Sequence, residues 1–140
     1  MSPKPLNDQS VIKEILATKG KIVIVGLSPK PERDSNRVAQ YMIGHGYEIV
    51  PVNPMSQEIL GRKCYPSIAD VPGEIAVVDV FRKSDDVPPI VEQAIAKGAK
   101  FLWLQLGVVH QEAAQTALNA GMGVVMNKCI KIEHSLKNGS

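Results

Sequence analysis

The sequence predicts a doubly wound α/β fold, a Rossmann-like sandwich in which about five parallel strands are covered by helices on both faces. Three observations predict it. Short runs such as Lys21–Val25 are aliphatic or β-branched at almost every position, as strands buried on both faces are. Amphipathic segments of helical length separate these runs. Gly, Pro or Asn stands at the carboxyl end of nearly every run, where turn residues are needed.

The elements follow in order. Asp8, Gln9 and Ser10 offer caps for a helix over residues 11–18, which Gly20 stops. Residues 21–25 form strand one, ended by Gly26-Leu27-Ser28-Pro29. Ser35 is placed to cap a helix over residues 36–43, closed by Gly44 and Gly46. Strand two covers residues 47–52 and stops at Asn53-Pro54. Residues 55–72 read as irregular, and residues 75–80 as strand three. A helix over 85–97 holds Pro88 and Pro89 in its first turn, where missing N–H donors matter least. Strand four is expected over 101–106, a helix over 110–120 and strand five over 123–126. Residues 128–140 add a short strand or helix before a frayed tail.

The chain has 140 residues, enough for one domain, expected to span 1–140 with residues 1–9 and 136–140 frayed. Aromatics make up only 4%, so Val, Ile, Leu and Ala must build the core. A formal charge of +2, with no basic run, gives no argument for nucleic acid. No segment is apolar for long enough to span a bilayer, and residues 1–9 lack the apolar centre of a signal peptide. A cytoplasmic location is the expectation. Two cysteines, Cys64 and Cys129, have neither a disulfide-framework pattern nor metal-ligand spacing, so no metal is expected.

In doubly wound sheets, ligands bind beyond the carboxyl ends of the strands, where the strand order reverses. The loop after strand one suits a phosphate. Gly26 allows close backbone approach, Ser28 and Ser35 carry hydroxyls, and Arg37 lies one turn into a helix whose N-terminus attracts anions. Lys30 and Arg33 add charge from the loop. The competing reading makes Ser35 only a cap and Arg37 only a surface charge.

The dinucleotide fingerprint Gly-x-Gly-x-x-Gly is absent. Strand two ends in Asn53 rather than the carboxylate that holds the ribose 2′-hydroxyl of NAD, with Arg62 and Lys63 downstream. A ribose bearing a phosphate fits that pattern better, and the missing glycines favour coenzyme A over NADP.

At this level of detail the chain resembles the bacterial and archaeal stand-alone CoA-binding domain proteins, which are similar to the CoA-binding domain of the succinyl-CoA synthetase α subunit. The matching segments are Ile24-Val25-Gly26-Leu27-Ser28, Ser35-Asn36-Arg37-Val38-Ala39, Ile49 to Pro54, Gly61 to Ser67, Val78-Asp79-Val80-Phe81-Arg82, Leu102 to Gly107 and Cys129 to His134. The resemblance implies coenzyme A or an acyl-CoA as the small-molecule ligand. Gly26, Leu27, Ser28, Arg33, Ser35 and Arg37 would surround the pyrophosphate. Val52, Asn53 and Pro54 would border the adenosine, with Lys63 near the ribose phosphate. Val80, Phe81 and Arg82 would line the cleft, and Gln105 and Gly107 would face the pantetheine arm. Asn127-Lys128 departs from the acidic-basic pair expected there, and Asn36 from the common aromatic.

Other residues attract attention without forming a catalytic set. Both cysteines read first as packed thiols, although Cys129 follows strand five closely enough to stand near a ligand thiol. His45 suits a helix end, and His134 could pair with Glu133. Asp79, in a buried strand, reads equally as a hydrogen-bonded structural carboxylate or a functional one. With no nucleophile–base arrangement assembled, the expectation is a non-catalytic binding module without nucleic-acid or membrane partners. The alternatives are a small NAD(P)-dependent oxidoreductase, or a detached acyl-CoA ligase subunit that works with a partner chain.

Overall fold

The computed structural model describes residues 4–138. Its strands are β1 (Lys21–Val25), β2 (Glu48–Val52), β3 (Glu58–Ile59), β4 (Arg62–Lys63), β5 (Val77–Val80), β6 (Phe101–Leu104) and β7 (Gly123–Met126). The α-helices are α1 (Gln9–Leu16), α2 (Asp34–Gly44), α3 (Val87–Ala96), α4 (Gln111–Asn119) and α5 (Ile130–Asn138). Five strands make one parallel sheet in the order β2-β1-β5-β6-β7, so the doubly wound fold is as predicted. The chain leaves β1 toward β2 on one side and returns to β5 on the other. The strand order therefore reverses between β1 and β5.

Side chains alternate between two cores, as the two-residue period of a strand requires. Val23, Val25, Val78, Val80, Leu102 and Leu104 face α3 and α4, where Val91, Ala94, Ala114 and Ala117 meet them. Ile22, Ile24, Val77, Trp103 and Val125 face α1, α2 and α5 through Ile12, Ile15, Val38, Met42 and Ile130. Trp103 is wholly buried, and its Nε1–H donates to the Lys128 carbonyl at 2.7 Å. Truncating such a side chain to alanine costs about 3–5 kcal/mol.

Several boundaries differ from the sequence reading, each for a local reason. Helix α2 begins at Asp34 with Arg33 as its N-cap, so Ser35 is not the cap. Its hydroxyl accepts from the Ser28 N–H at 3.0 Å instead, joining the helix to the preceding loop. The stretch 55–72 is not wholly irregular: it contains the antiparallel β3–β4 hairpin, whose turn holds Leu60 and Gly61 at positive φ, and a 3-10 turn over Ile68–Asp70. Strand β6 stops at Leu104, beyond which the Gln105 N–H still donates to the Val80 carbonyl at 3.3 Å. A 3-10 turn over Ser84–Asp86 precedes α3 and delays the start expected at residue 85.

The termini are more ordered than expected where they are described. The Asn7 N–H donates to the Val124 carbonyl, and the Asn7 carboxamide both donates to the Met126 carbonyl and accepts from its N–H. At the other end α5 runs to Asn138, so the frayed tail assigned from 136 is helical as far as the description extends. Residues 1–3 and 139–140 of the frayed segments lie outside the described residues. Among the described residues, no helix is long and apolar enough to cross a membrane.

Candidate functional site

The reversal between β1 and β5 opens a cleft at the carboxyl edge of the sheet, the place where doubly wound folds bind ligands. Gly26 ends β1 with φ +85°. A Cβ at that position would lie 2.3 Å from the Phe81 carbonyl oxygen and 2.9 Å from Arg82 Cδ. Only glycine lets the two strand ends approach so closely, because positive φ and the missing Cβ are both required.

A cavity of about 450 Å³ lies above this contact, lined by Gly26, Ser28, Lys30, Arg33, Ser35 and Phe81 together with Glu32 and Asp34. Ser28 is pinned through all of its polar groups. Its N–H donates to Ser35 Oγ, its carbonyl accepts from Asn36 Nδ2 at 2.8 Å, and its Oγ accepts from the Lys30 N–H at 3.1 Å. Both serine hydroxyls act as acceptors in these bonds, so each keeps its hydrogen for a further acceptor. The N–H groups of the first turn of α2 have no intrahelical acceptor and carry the positive end of the helix dipole. Hydroxyl hydrogens and helix N-terminal N–H groups of this kind are donors suited to an anion with several oxygens.

Arg37 stands at the neighbouring cavity and presently pairs with Asp34 at 2.9 Å, with both side chains largely exposed. Such surface pairs contribute about 0–1 kcal/mol, so a phosphate can displace the carboxylate cheaply.

Two further cavities flank the first. One, of about 260 Å³, shares Gly26 and is walled by Val52, Pro54, Ile68 and Arg82. The other, of about 360 Å³, shares Asp34 and Phe81 and is walled by Val38, Gln105, Leu106, Cys129 and Ile132. Arg82, which pairs with Asp86 at 3.1 Å, and Gln105 also border a shallower depression that links these two sides.

The remaining residues expected at the site are positioned differently. Leu27 and Val80 are fully buried and support the cleft from within the two cores. Asn53 ties the end of β2 to the loop after β1: its Nδ2 donates to the Leu27 carbonyl at 3.0 Å, and its Oδ1 accepts from the Met55 N–H at 2.8 Å. Gly107 turns the chain at φ +88°, its N–H donating to Asn127 Oδ1 at 2.8 Å. Lys63 lies on the β3–β4 hairpin with its ammonium 5.2 Å from the centre of the Tyr65 ring, and it borders none of the cavities around Gly26. Leu106, Lys131 and Ile132, which lie within the matching segments Leu102 to Gly107 and Cys129 to His134 but were not named as site residues, also line the cavity beside Gln105.

The histidines and cysteines have local partners. His110 is the N-cap of α4, accepting from the Ala113 N–H. His45 is the C-cap of α2, with Nδ1 2.9 Å from the Tyr41 carbonyl. His134 is buried, with Nδ1 2.8 Å from the Tyr41 hydroxyl and its ring against those of His45 and Tyr47. Burial, followed by the nearby His45, lowers its pKa. Cys64 is buried, its Sγ 3.4 Å from the Asn53 carbonyl, and burial raises its pKa. Cys129 is half-buried at the cleft.

Asp79 departs most from expectation. It is wholly buried, the third of four residues of β5, in register with Ile24 on one side and Trp103 on the other. Neither carboxylate oxygen has a hydrogen-bond partner among the described residues, so the hydrogen-bonded structural reading fails. Burial raises its pKa well above the usual carboxylate value, which favours the protonated form.

Relatives agree with this architecture. Residues 20–135 match the family profile described as CoA binding domain. The uncharacterized protein YneT of Bacillus subtilis (strain 168) is 42% identical over 125 residues, spanning 89% of this chain and 93% of that protein. A solved structure of a hypothetical protein from Pyrococcus horikoshii OT3 is 47% identical and superposes with a TM-score of 0.88, covering 97% of this chain and 98% of that one. The α subunit of acetate–CoA ligase (ADP-forming) I from Pyrococcus furiosus is 29% identical over 128 residues, which are 80% of this chain and 28% of the subunit.

Proposed function

The chain belongs to the CoA-binding domain family, and from that premise we propose that it binds coenzyme A or an acyl-CoA as a nucleotide-binding module. The observation that carries the reading is the cavity at the α2 N-terminus, where Gly26, Ser28 and Ser35 present close backbone and two free hydroxyl hydrogens. The diphosphate binds there, with Arg37 exchanging Asp34 for a phosphate oxygen. The cavity beside Val52 and Pro54 takes the adenosine, and the cavity beside Gln105 takes the pantetheine arm. Asn53 argues against NAD, because its carboxamide is already engaged with Leu27 and Met55 and no carboxylate stands at the end of β2.

Titration calorimetry with CoA, acetyl-CoA, NAD and NADP in parallel tests this. The expected result is saturable binding of CoA at least about tenfold tighter than NAD, a margin of 1.4 kcal/mol. Tighter binding of NAD would overturn the reading in favour of an oxidoreductase.

The likeness to a ligase α subunit supports a second reading, in which a partner chain completes an acyl-CoA ligase around this module. Incubation of the chain alone with acetate, ATP and CoA is expected to form no acetyl-CoA. Turnover under those conditions would make the chain an enzyme by itself.

A further inference from the structure

The cavity beside Gln105 has two properties that a pantetheine arm does not require. The first is the state of the glutamine. Its Oε1 accepts from the Ile130 N–H at 3.1 Å, which fixes the orientation of the amide, since only the oxygen can accept. The residue is 3% exposed and lines the cavity, yet its Nε2 has no acceptor among the described residues. Two amide hydrogens are thus held in place beyond the end of β6 and reach solvent beside the cavity, open to an entering acceptor.

The second property is apolar exposure. Leu106 and Ile132 are 64% and 49% exposed, large values for such side chains, and both stand on this cavity with Val38, Phe81 and Cys129 around them. Apolar walls with a fixed amide donor, beside the charged Asp34, Arg37 and Lys131, suit an apolar group that bears a carbonyl.

We propose that this cavity recognises the acyl end of a short-chain acyl thioester, the thioester carbonyl accepting from Gln105 Nε2 and the alkyl chain lying against Leu106 and Ile132. The inference rests on the CoA reading above and deepens it by naming the form of the ligand. Its size, about 360 Å³, is at the low end for ligand cavities and restricts the acyl group to a few carbons once the end of the arm has entered. The charged rim formed by Arg37 and Lys131 disfavours bare alkyl chains that extend further.

The test is calorimetry with CoA, butyryl-CoA and S-butyl-CoA, a thioether of the same length that lacks the carbonyl. Butyryl-CoA is expected to bind about tenfold or more tighter than CoA, from burial of its methylenes and the new hydrogen bond. S-butyl-CoA should fall between them. Gln105→Glu, which keeps an acceptor for Ile130 and loses the donors, should remove the advantage of butyryl-CoA over S-butyl-CoA. Leu106→Ser alters an exposed position and leaves the fold intact, so it supplies a second arm: it should weaken butyryl-CoA more than CoA and so narrow the gap between them. Equal affinities of CoA and butyryl-CoA, with CoA still bound, would overturn this inference alone. Binding of none of the three would overturn it together with the CoA reading.

Discussion

The Phe81 carbonyl oxygen stands 2.3 Å from where a Cβ on Gly26 would lie, so the ends of β1 and β5 meet through bare backbone. Gly26→Ala adds that methyl group and also forces an L side chain to φ +85°. The expected loss of stability is at least about 2 kcal/mol, from the left-handed conformation plus displacement of the Phe81 peptide. Urea unfolding measures it. Because the cavity floor moves with that peptide, CoA affinity should fall in the same variant under conditions where it remains folded.

Arg37→Ala should weaken CoA binding by about 1.5–3 kcal/mol, the range for a hydrogen bond to a charged group. Its stability should change little, since its present partner Asp34 is a solvent-exposed carboxylate. Calorimetry at moderate salt gives the first quantity and thermal unfolding the second. Unchanged affinity would return Arg37 to the role of a surface charge.

Asp79 makes stability depend on pH in an unusual direction. Its pKa in the fold is raised above the ordinary 3.8, so in the range above that value the unfolded chain releases a proton that the folded chain keeps. Stability from this group is therefore greatest in acid and declines as pH rises, by up to about 1.4 kcal/mol per pH unit for one proton. Asp79→Asn removes the ionisation and should be more stable than the parent at pH 7, with the gap closing toward pH 4. Parallel urea titrations across that range check the sign. A parent that is the more stable of the two at pH 7 would show that Asp79 is partnered in solution.

His134 acts in the opposite sense. Its folded pKa lies below the ordinary 6.5, so its contribution is complete above that value and is lost as pH falls through the folded pKa. Proton uptake would disturb the contact with the Tyr41 hydroxyl and bring positive charge to the rings of His45 and Tyr47 and to the Lys131 ammonium, which lies over Tyr41. Helix α5 carries the cleft residue Ile132 beside this cluster. The melting temperature is expected to drop between pH 6.5 and 5, and His134→Phe should flatten that drop. Scanning calorimetry at several pH values measures both.

Strand identity was readable because each strand is buried on both faces and must be apolar at nearly every step. Gly123–Met126 matches its predicted limits for that reason. The turn after β1 was readable as well, since Gly26, Ser28 and Ser35 are types whose chemistry is local. Ser35 shows the limit of that reading. A serine before a helix suggests a cap, yet the hydrogen bond it makes depends on where the loop returns seven residues away from Ser28. Lys63 shows the limit from the other side, because it sits on the β3–β4 hairpin with its ammonium over the Tyr65 ring, a placement that the local pattern downstream of β2 does not reveal.

The sequence by itself determined the layered α/β architecture, the order of its elements and the glycine- and serine-bearing turn after β1. Periodicity and turn chemistry act over a few residues and are written in the chain. Tertiary structure alone decided which strand ends became neighbours. It brought Gly26 against Phe81, left Asp79 without a hydrogen-bond partner among the described residues between Ile24 and Trp103, and set Leu106 and Ile132 on one cavity with Gln105. Those relations join residues far apart in sequence, and they arise from sheet order and helix packing, which no local pattern encodes.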